Sequence, residues 1–139
     1  MRNLAVILAI FAFFSCKGNA SYPPPPLRGD MVELDIRDLK EKLPVFYSYI
    51  YEGRRVNFFV LKINGNVSSF FDACMKCYPK RLGYFPEDES LVCRACGIKY
   101  PIDALKGIGT CYPIGLEGRA EKDSYIIEKG ELIKGTQYF

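Results

Sequence analysis

Five cysteines carry the chemistry that this sequence advertises: Cys74, Cys77, Cys93, Cys96 and Cys111. The first four form two C-x-x-C pairs whose inner members, Cys77 and Cys93, bracket fifteen residues, the thiolate spacing of zinc ribbons and rubredoxin-like sites. Two cysteines three apart on a tight turn aim both sulfurs at one cation, and the amide N–H groups of the turn stabilise the thiolates. Two such knuckles facing each other complete a tetrahedron, so Cys74, Cys77, Cys93 and Cys96 are the expected metal ligands. Gly97, directly after Cys96, suits a knuckle that needs positive φ or close approach to sulfur. Cys111 is not required by a four-thiolate site. It replaces a ligand, joins a cluster or stays a free thiol, and Gly107, Gly109 and Gly115 give its loop the freedom to fold over the knuckles.

The chain has no histidine. That excludes His-containing zinc fingers, Rieske centres, blue-copper sites and c-type haem attachment. An all-sulfur donor set leaves iron, as a mononuclear or iron–sulfur centre, zinc, and cuprous copper. Disulfides and thiol–disulfide chemistry are the competing readings. A thioredoxin-like site would place C-x-x-C at the start of a helix in a βαβ unit, and Pro79 with its strand-like surroundings argues against that. No acid/base pair of carboxylates, nucleophile elbow or phosphate loop is present, so a catalytic role is the minority reading and no small-molecule substrate is evident. The basic residues are dispersed rather than gathered in a stripe, which argues against nucleic acid.

The elements that must hold these cysteines read as mainly β. Met31, Val32, Leu34 and Ile36 suggest a strand, and Ile36, Leu39 and Leu43 share a helical face that Pro44 would end. Val45–Tyr51 and Val56–Ile63 form a hairpin, and Asn64-Gly65 turns the chain into a third strand, Val67–Phe71, leading to Cys74. Gly83-Tyr84-Phe85 and Ser90-Leu91-Val92 are short strands between the knuckles, joined by an acidic turn. Ser124–Glu128 and Glu131–Lys134 suggest a closing hairpin about Lys129-Gly130. The expected fold is a small antiparallel sheet, a hairpin meander, carrying a zinc-ribbon-like module of two cysteine knuckles.

The N-terminus is of another character. Arg2 precedes eleven apolar residues, Leu4 to Phe14, too few for a membrane span of about 20 residues. They read as a signal peptide over residues 1–15, and Ser15-Cys16 after it resembles a lipobox, making Cys16 a candidate for lipidation. Residues 16–30 contain four consecutive prolines, Pro23 to Pro26, and are expected to form an extended tether or an arm lying on the domain. Residues 31–139 are then the β-rich cysteine domain. This organisation places the protein outside the cytoplasm, anchored to the membrane through its N-terminal lipid.

From Val56 to Leu116 the chain resembles the FtrD-like family of membrane iron–sulfur-containing proteins. The resemblance runs in order through Phe58-Phe59-Val60, Phe71-Asp72-Ala73-Cys74-x-x-Cys77, Gly83-Tyr84-Phe85, Leu91-Val92-Cys93-x-x-Cys96-Gly97, Pro101-Ile102 and Gly109-Thr110-Cys111-Tyr112-Pro113. The resemblance implies an iron–sulfur centre on the outer face of the membrane, with all five cysteines as candidate ligands. It also implies an association with ferrous-iron uptake, so that a membrane iron permease or redox protein becomes a candidate partner. Larger members carry several transmembrane helices, whereas the long apolar run here is the N-terminal one. The implied role is therefore that of an accessory piece rather than a transporter. Where the family usually has Gly-Gly-Cys-Asn-Pro, this chain has Gly109-Thr110-Cys111-Tyr112-Pro113.

Overall fold

The computed structural model describes residues 19–105 and 111–139. The segment read as a signal peptide, Cys16, Gly107 and Gly109 lie outside the described residues. The described residues hold eleven strands: β1 (Leu27–Arg28), β2 (Met31–Asp35), β3 (Val45–Tyr51), β4 (Arg54–Ile63), β5 (Asn66–Cys74), β6 (Tyr84–Glu87), β7 (Ser90–Cys93), β8 (Lys99–Pro101), β9 (Pro113–Leu116), β10 (Arg119–Glu121) and β11 (Ser124–Glu128), followed by the short helix α1 (Lys129–Lys134). They make three antiparallel sheets in the orders β1-β2-β11-β10, β3-β4-β5-β9 and β6-β7-β8.

The middle sheet is the organising layer because both of its faces are buried. In β4, Val56, Phe58 and Val60 point into one core with Val32, Leu34, Tyr125 and Ile127 of the first sheet. Their neighbours Phe59 and Leu61 point the opposite way, toward Tyr84, Leu91 and Tyr100 of the third. A strand covered on both sides shows a continuous apolar run instead of an alternating one, which is how Val56 to Leu61 reads apart from Asn57. The aromatic residues of this region are thus mostly packing: Phe46, Phe59 and Phe70 pack in series with centroids 5.1 and 5.4 Å apart, the first pair tilted and the second stacked.

Two local expectations are overturned. Residues 36–43 form no helix; they make isolated turns and a single parallel bridge, Glu41 to Lys62. Arg37 folds back onto Asp35, donating from its backbone N and Nε to Oδ1 at 3.0 Å. Glu41 instead accepts the backbone N–H groups of Asn64 and Gly65 at 2.9 and 2.8 Å. Eight residues ending at a proline gain little from helix nucleation, whereas this arrangement closes the β4–β5 turn and still packs Ile36 and Leu39 on the first core. The proposed C-terminal hairpin is also absent. Both edges of β11 are occupied, by β2 and β10, so residues 129–134 turn into α1 and bury Leu132 against the first core.

The proline-rich segment lies along the domain from Asn19 onward. Ser48 and Asn57, both buried, receive it: Tyr22 N donates to Ser48 Oγ at 2.9 Å, Asn57 Nδ2 donates to the Ala20 carbonyl at 2.7 Å, and Ser48 Oγ donates to Asn57 Oδ1 at 2.7 Å. Ser48 N donates to the Pro23 carbonyl at 3.0 Å, and the Tyr22 ring stacks on Phe46. Asn57→Ala leaves these buried groups without partners, and a loss of about 1–3 kcal/mol is expected. Trypsin cleavage after Arg28 should accelerate with it; an unchanged cleavage rate would mean that the arm is held by its prolines and Tyr22 alone.

Candidate metal centre

The five cysteines come from three places that the middle and third sheets bring together. Cys74 ends β5, opposite Pro113 of β9. Cys77 follows in the turn, immediately before a short 3-10 segment, Tyr78–Lys80. Cys93 ends β7, opposite Tyr84 of β6, and Cys96 lies in the turn beyond it. Cys111 precedes β9 by two residues.

Each knuckle has the backbone geometry its spacing requires. Gly97 N donates to the Cys93 carbonyl at 2.8 Å and Cys93 N to the Ile98 carbonyl at 3.0 Å; Lys80 N donates to the Cys77 carbonyl at 3.0 Å. Gly97 has φ +72°, as its position suggested. Backbone N–H groups point at the sulfurs: those of Lys76 and Cys77 at Cys74, those of Ala95 and Cys96 at Cys93, and that of Ile98 at Cys96.

Cys111 is drawn in with them. Its carbonyl accepts the Tyr84 hydroxyl at 3.1 Å, and Met75 N donates to the Tyr112 carbonyl at 2.9 Å. These two bonds tie the segment to both knuckles. The sulfurs fall into two triangles, Cys74–Cys77–Cys93 and Cys77–Cys96–Cys111, in each of which all sulfurs lie within 4.8 Å of one another. Cys74, Cys93 and Cys111 are buried, Cys77 is half-buried and Cys96 is exposed.

The electrostatics of this cluster favour a cation. Burial pushes the Cys93 thiol up to about 11 and raises Cys77 and Cys111 as well, the neighbouring sulfurs adding to the effect for all three. Burial also acts on Cys74 and Cys96. For Cys74 it is outweighed by the Tyr84 hydroxyl and the N–H groups of Cys77 and Lys76. For Cys96 it is outweighed by the Ile98 N–H and neighbouring thiols, so both fall below the ordinary thiol range. Five crowded thiols do not all ionise unaided; a bound metal supplies the charge that lets them do so. An all-sulfur set with aligned amide donors fits zinc and iron–sulfur ligation alike.

Sequence reading gave no role to the residues that brace the cluster. Alternation along β5 puts Phe70, Asp72 and Cys74 on the face toward the third sheet. Asp72, 3% exposed, accepts Tyr84 N at 2.6 Å and the Tyr22 hydroxyl at 3.2 Å. Burial, partly offset by those two donors and by Arg94, raises its carboxyl to about 6. Arg94 Nε donates to the Tyr84 carbonyl at 3.2 Å, and its guanidinium covers the Phe85 ring. Tyr84, fully buried, therefore touches Asp72, Arg94 and Cys111 while pairing with Cys93. The available signal was a lone acid inside the apolar run Phe70-Phe71-Asp72-Ala73-Cys74.

Among the described residues no helix is long and apolar enough to cross a membrane. Comparison with curated proteins and with solved structures finds no match. The family model described as membrane iron-sulfur containing protein FtrD-like matches residues 36–139, a span that contains all five cysteines together with Asp72 and Tyr84. By the reach of that match, the chain belongs to the FtrD-like family of membrane iron–sulfur-containing proteins.

Proposed function

We propose that this protein is an extracytoplasmic iron–sulfur accessory protein that passes electrons at the membrane in support of iron uptake, with zinc as the alternative metal. The observation that carries the reading is the gathering of five thiols in one braced cluster of a chain from this family, a cluster with no other class of metal ligand among the described residues. When bound, an iron–sulfur centre supplies one-electron transfer. The chain's own part is to hold the five sulfurs, to direct amide N–H groups at them, and to keep most of the cluster away from water.

Anchoring through a lipid on Cys16 is part of the same proposal, as is a partner at the membrane, an iron permease or a redox protein. An accessible edge supports such a partner. Cys96 is exposed, and two of the exposed large apolar side chains, Met75 (42%) and Ile98 (44%), neighbour knuckle cysteines in the chain. The exposed basic residues Lys76, Lys80, Arg81 and Arg94 belong to the same segments.

Anaerobically purified protein is expected to be coloured, with thiolate-to-iron absorption, iron and acid-labile sulfide. A colourless protein containing zinc alone would overturn the iron–sulfur reading and leave a structural zinc site. A second reading, thiol–disulfide or metallochaperone chemistry, is favoured by one observation, the exposed Cys96 beside the buried Cys111. Thiol labelling of the purified protein separates the two: in the metal reading all five cysteines are protected until a chelator is added.

A further inference from the structure

We infer that the cluster is a two-ion centre in which the Cys77 thiolate bridges the metals. It concerns the site proposed above but does not depend on that site carrying electrons.

A one-ion thiolate site has a fixed size. Metal–sulfur bonds of about 2.3 Å in a tetrahedron put every pair of ligand sulfurs about 3.8 Å apart, so a single four-thiolate ion needs four mutually close sulfurs. Among the described residues no four of the sulfurs lie within 4.8 Å of one another. The quartet expected from the two knuckles, Cys74, Cys77, Cys93 and Cys96, is not such a group. The cluster instead divides into two triangles that meet at one corner, Cys77. Each triangle offers an ion three thiolates, leaving a tetrahedral position for inorganic sulfide or water.

Cys111 gives this division its second observation. A spare thiol would have no need of fixed geometry, yet Cys111 is 3% exposed. Its own carbonyl is held by Tyr84 Oη, and that of Tyr112 by Met75 N. It completes the second triangle, with Cys74 of the first as a further neighbour. The ions that suit this set are thiophilic: iron, zinc, or cobalt and cadmium as probes.

The test is an anaerobic titration of the reduced, metal-free full chain with Co(II). Thiolate-to-cobalt absorption is expected to rise until two equivalents are bound. The high-spin Co(II) paramagnetic resonance should grow at first and then fall as the second ion couples to the first through the shared sulfur. Saturation at one equivalent, or no binding, overturns the inference. Cys111→Ser should bind one ion with an uncoupled signal; two coupled ions in that variant would equally overturn it. The wild-type stoichiometry decides the matter even if a variant fails to fold. Iron and sulfide in the anaerobic protein with one-ion saturation would refute the bridged pair and keep the proposed function. Two cobalt ions in a protein that holds only zinc when isolated would do the reverse.

Discussion

Gly83→Ala is expected to destabilise the protein by about 3 kcal/mol and to weaken ion binding by about tenfold or more. Two separate penalties combine at this position. Gly83 has φ +65°, a left-handed conformation that costs a residue bearing Cβ about 1–2 kcal/mol. The added methyl would also run into the Asp72 carboxylate, which is buried and engaged by Tyr84 N. Asp72 has no room to retreat without releasing that bond, and Tyr84 is the residue that pairs with Cys93 and holds Cys111. Gly97 supplies the control. Its φ is +72°, but a Cβ there meets nothing within 4 Å, so Gly97→Ala should lose only the conformational share, about 1 kcal/mol. Denaturant unfolding and chelator competition on both variants check this. Equal losses would mean that the Asp72 contact is easily relieved and that Asp72 and Tyr84 do not brace the centre.

The second large effect separates stability from metal retention. Phe58 and Phe59 are adjacent on β4 and both fully buried, but they face different cores. Phe59 shares its core with Cys74, Cys93 and Cys111; Phe58 stacks on Tyr47 on the opposite side. Truncation of either to alanine is expected to cost about 3–5 kcal/mol through lost burial and the cavity left behind. Only Phe59→Ala should also speed removal of the metal by a competing chelator, because its cavity opens beneath the sheet that carries the second knuckle. If both variants release metal at the same rate, the centre responds to global unfolding and not to the packing under it.

Much of this was legible in the residues. The two C-x-x-C pairs, the β3–β4–β5 meander with its Asn64-Gly65 turn, and the small hairpin between the knuckles are local patterns, and the structure reproduces them within a few residues. The positive φ at Gly97 follows from the knuckle itself. The misjudged segments failed for one physical reason. Residues 36–43 and 129–134 have weak intrinsic preferences, and their conformations are set by distant partners: the β4–β5 turn for the first, the filled edges of β11 for the second. The role of Asp72 is not legible locally, since its partners Tyr22 and Tyr84 lie 50 and 12 residues away.

The sequence by itself determined the chemistry on offer at the candidate centre: clustered thiols and no imidazole, set on two turns that place amide donors near them. It also determined the β character of the scaffold, since alternation and turn residues act over a few positions. What only the tertiary structure decided is how the sulfurs are shared. Spacing joined Cys74, Cys77, Cys93 and Cys96 and left Cys111 apart; folding pairs β5 with β9, fixes the Cys111 segment through Tyr84 and Met75, and makes Cys77 the corner common to both triangles. Distances between sulfurs on different strands depend on sheet pairing and on buried braces, and no local spacing rule contains them.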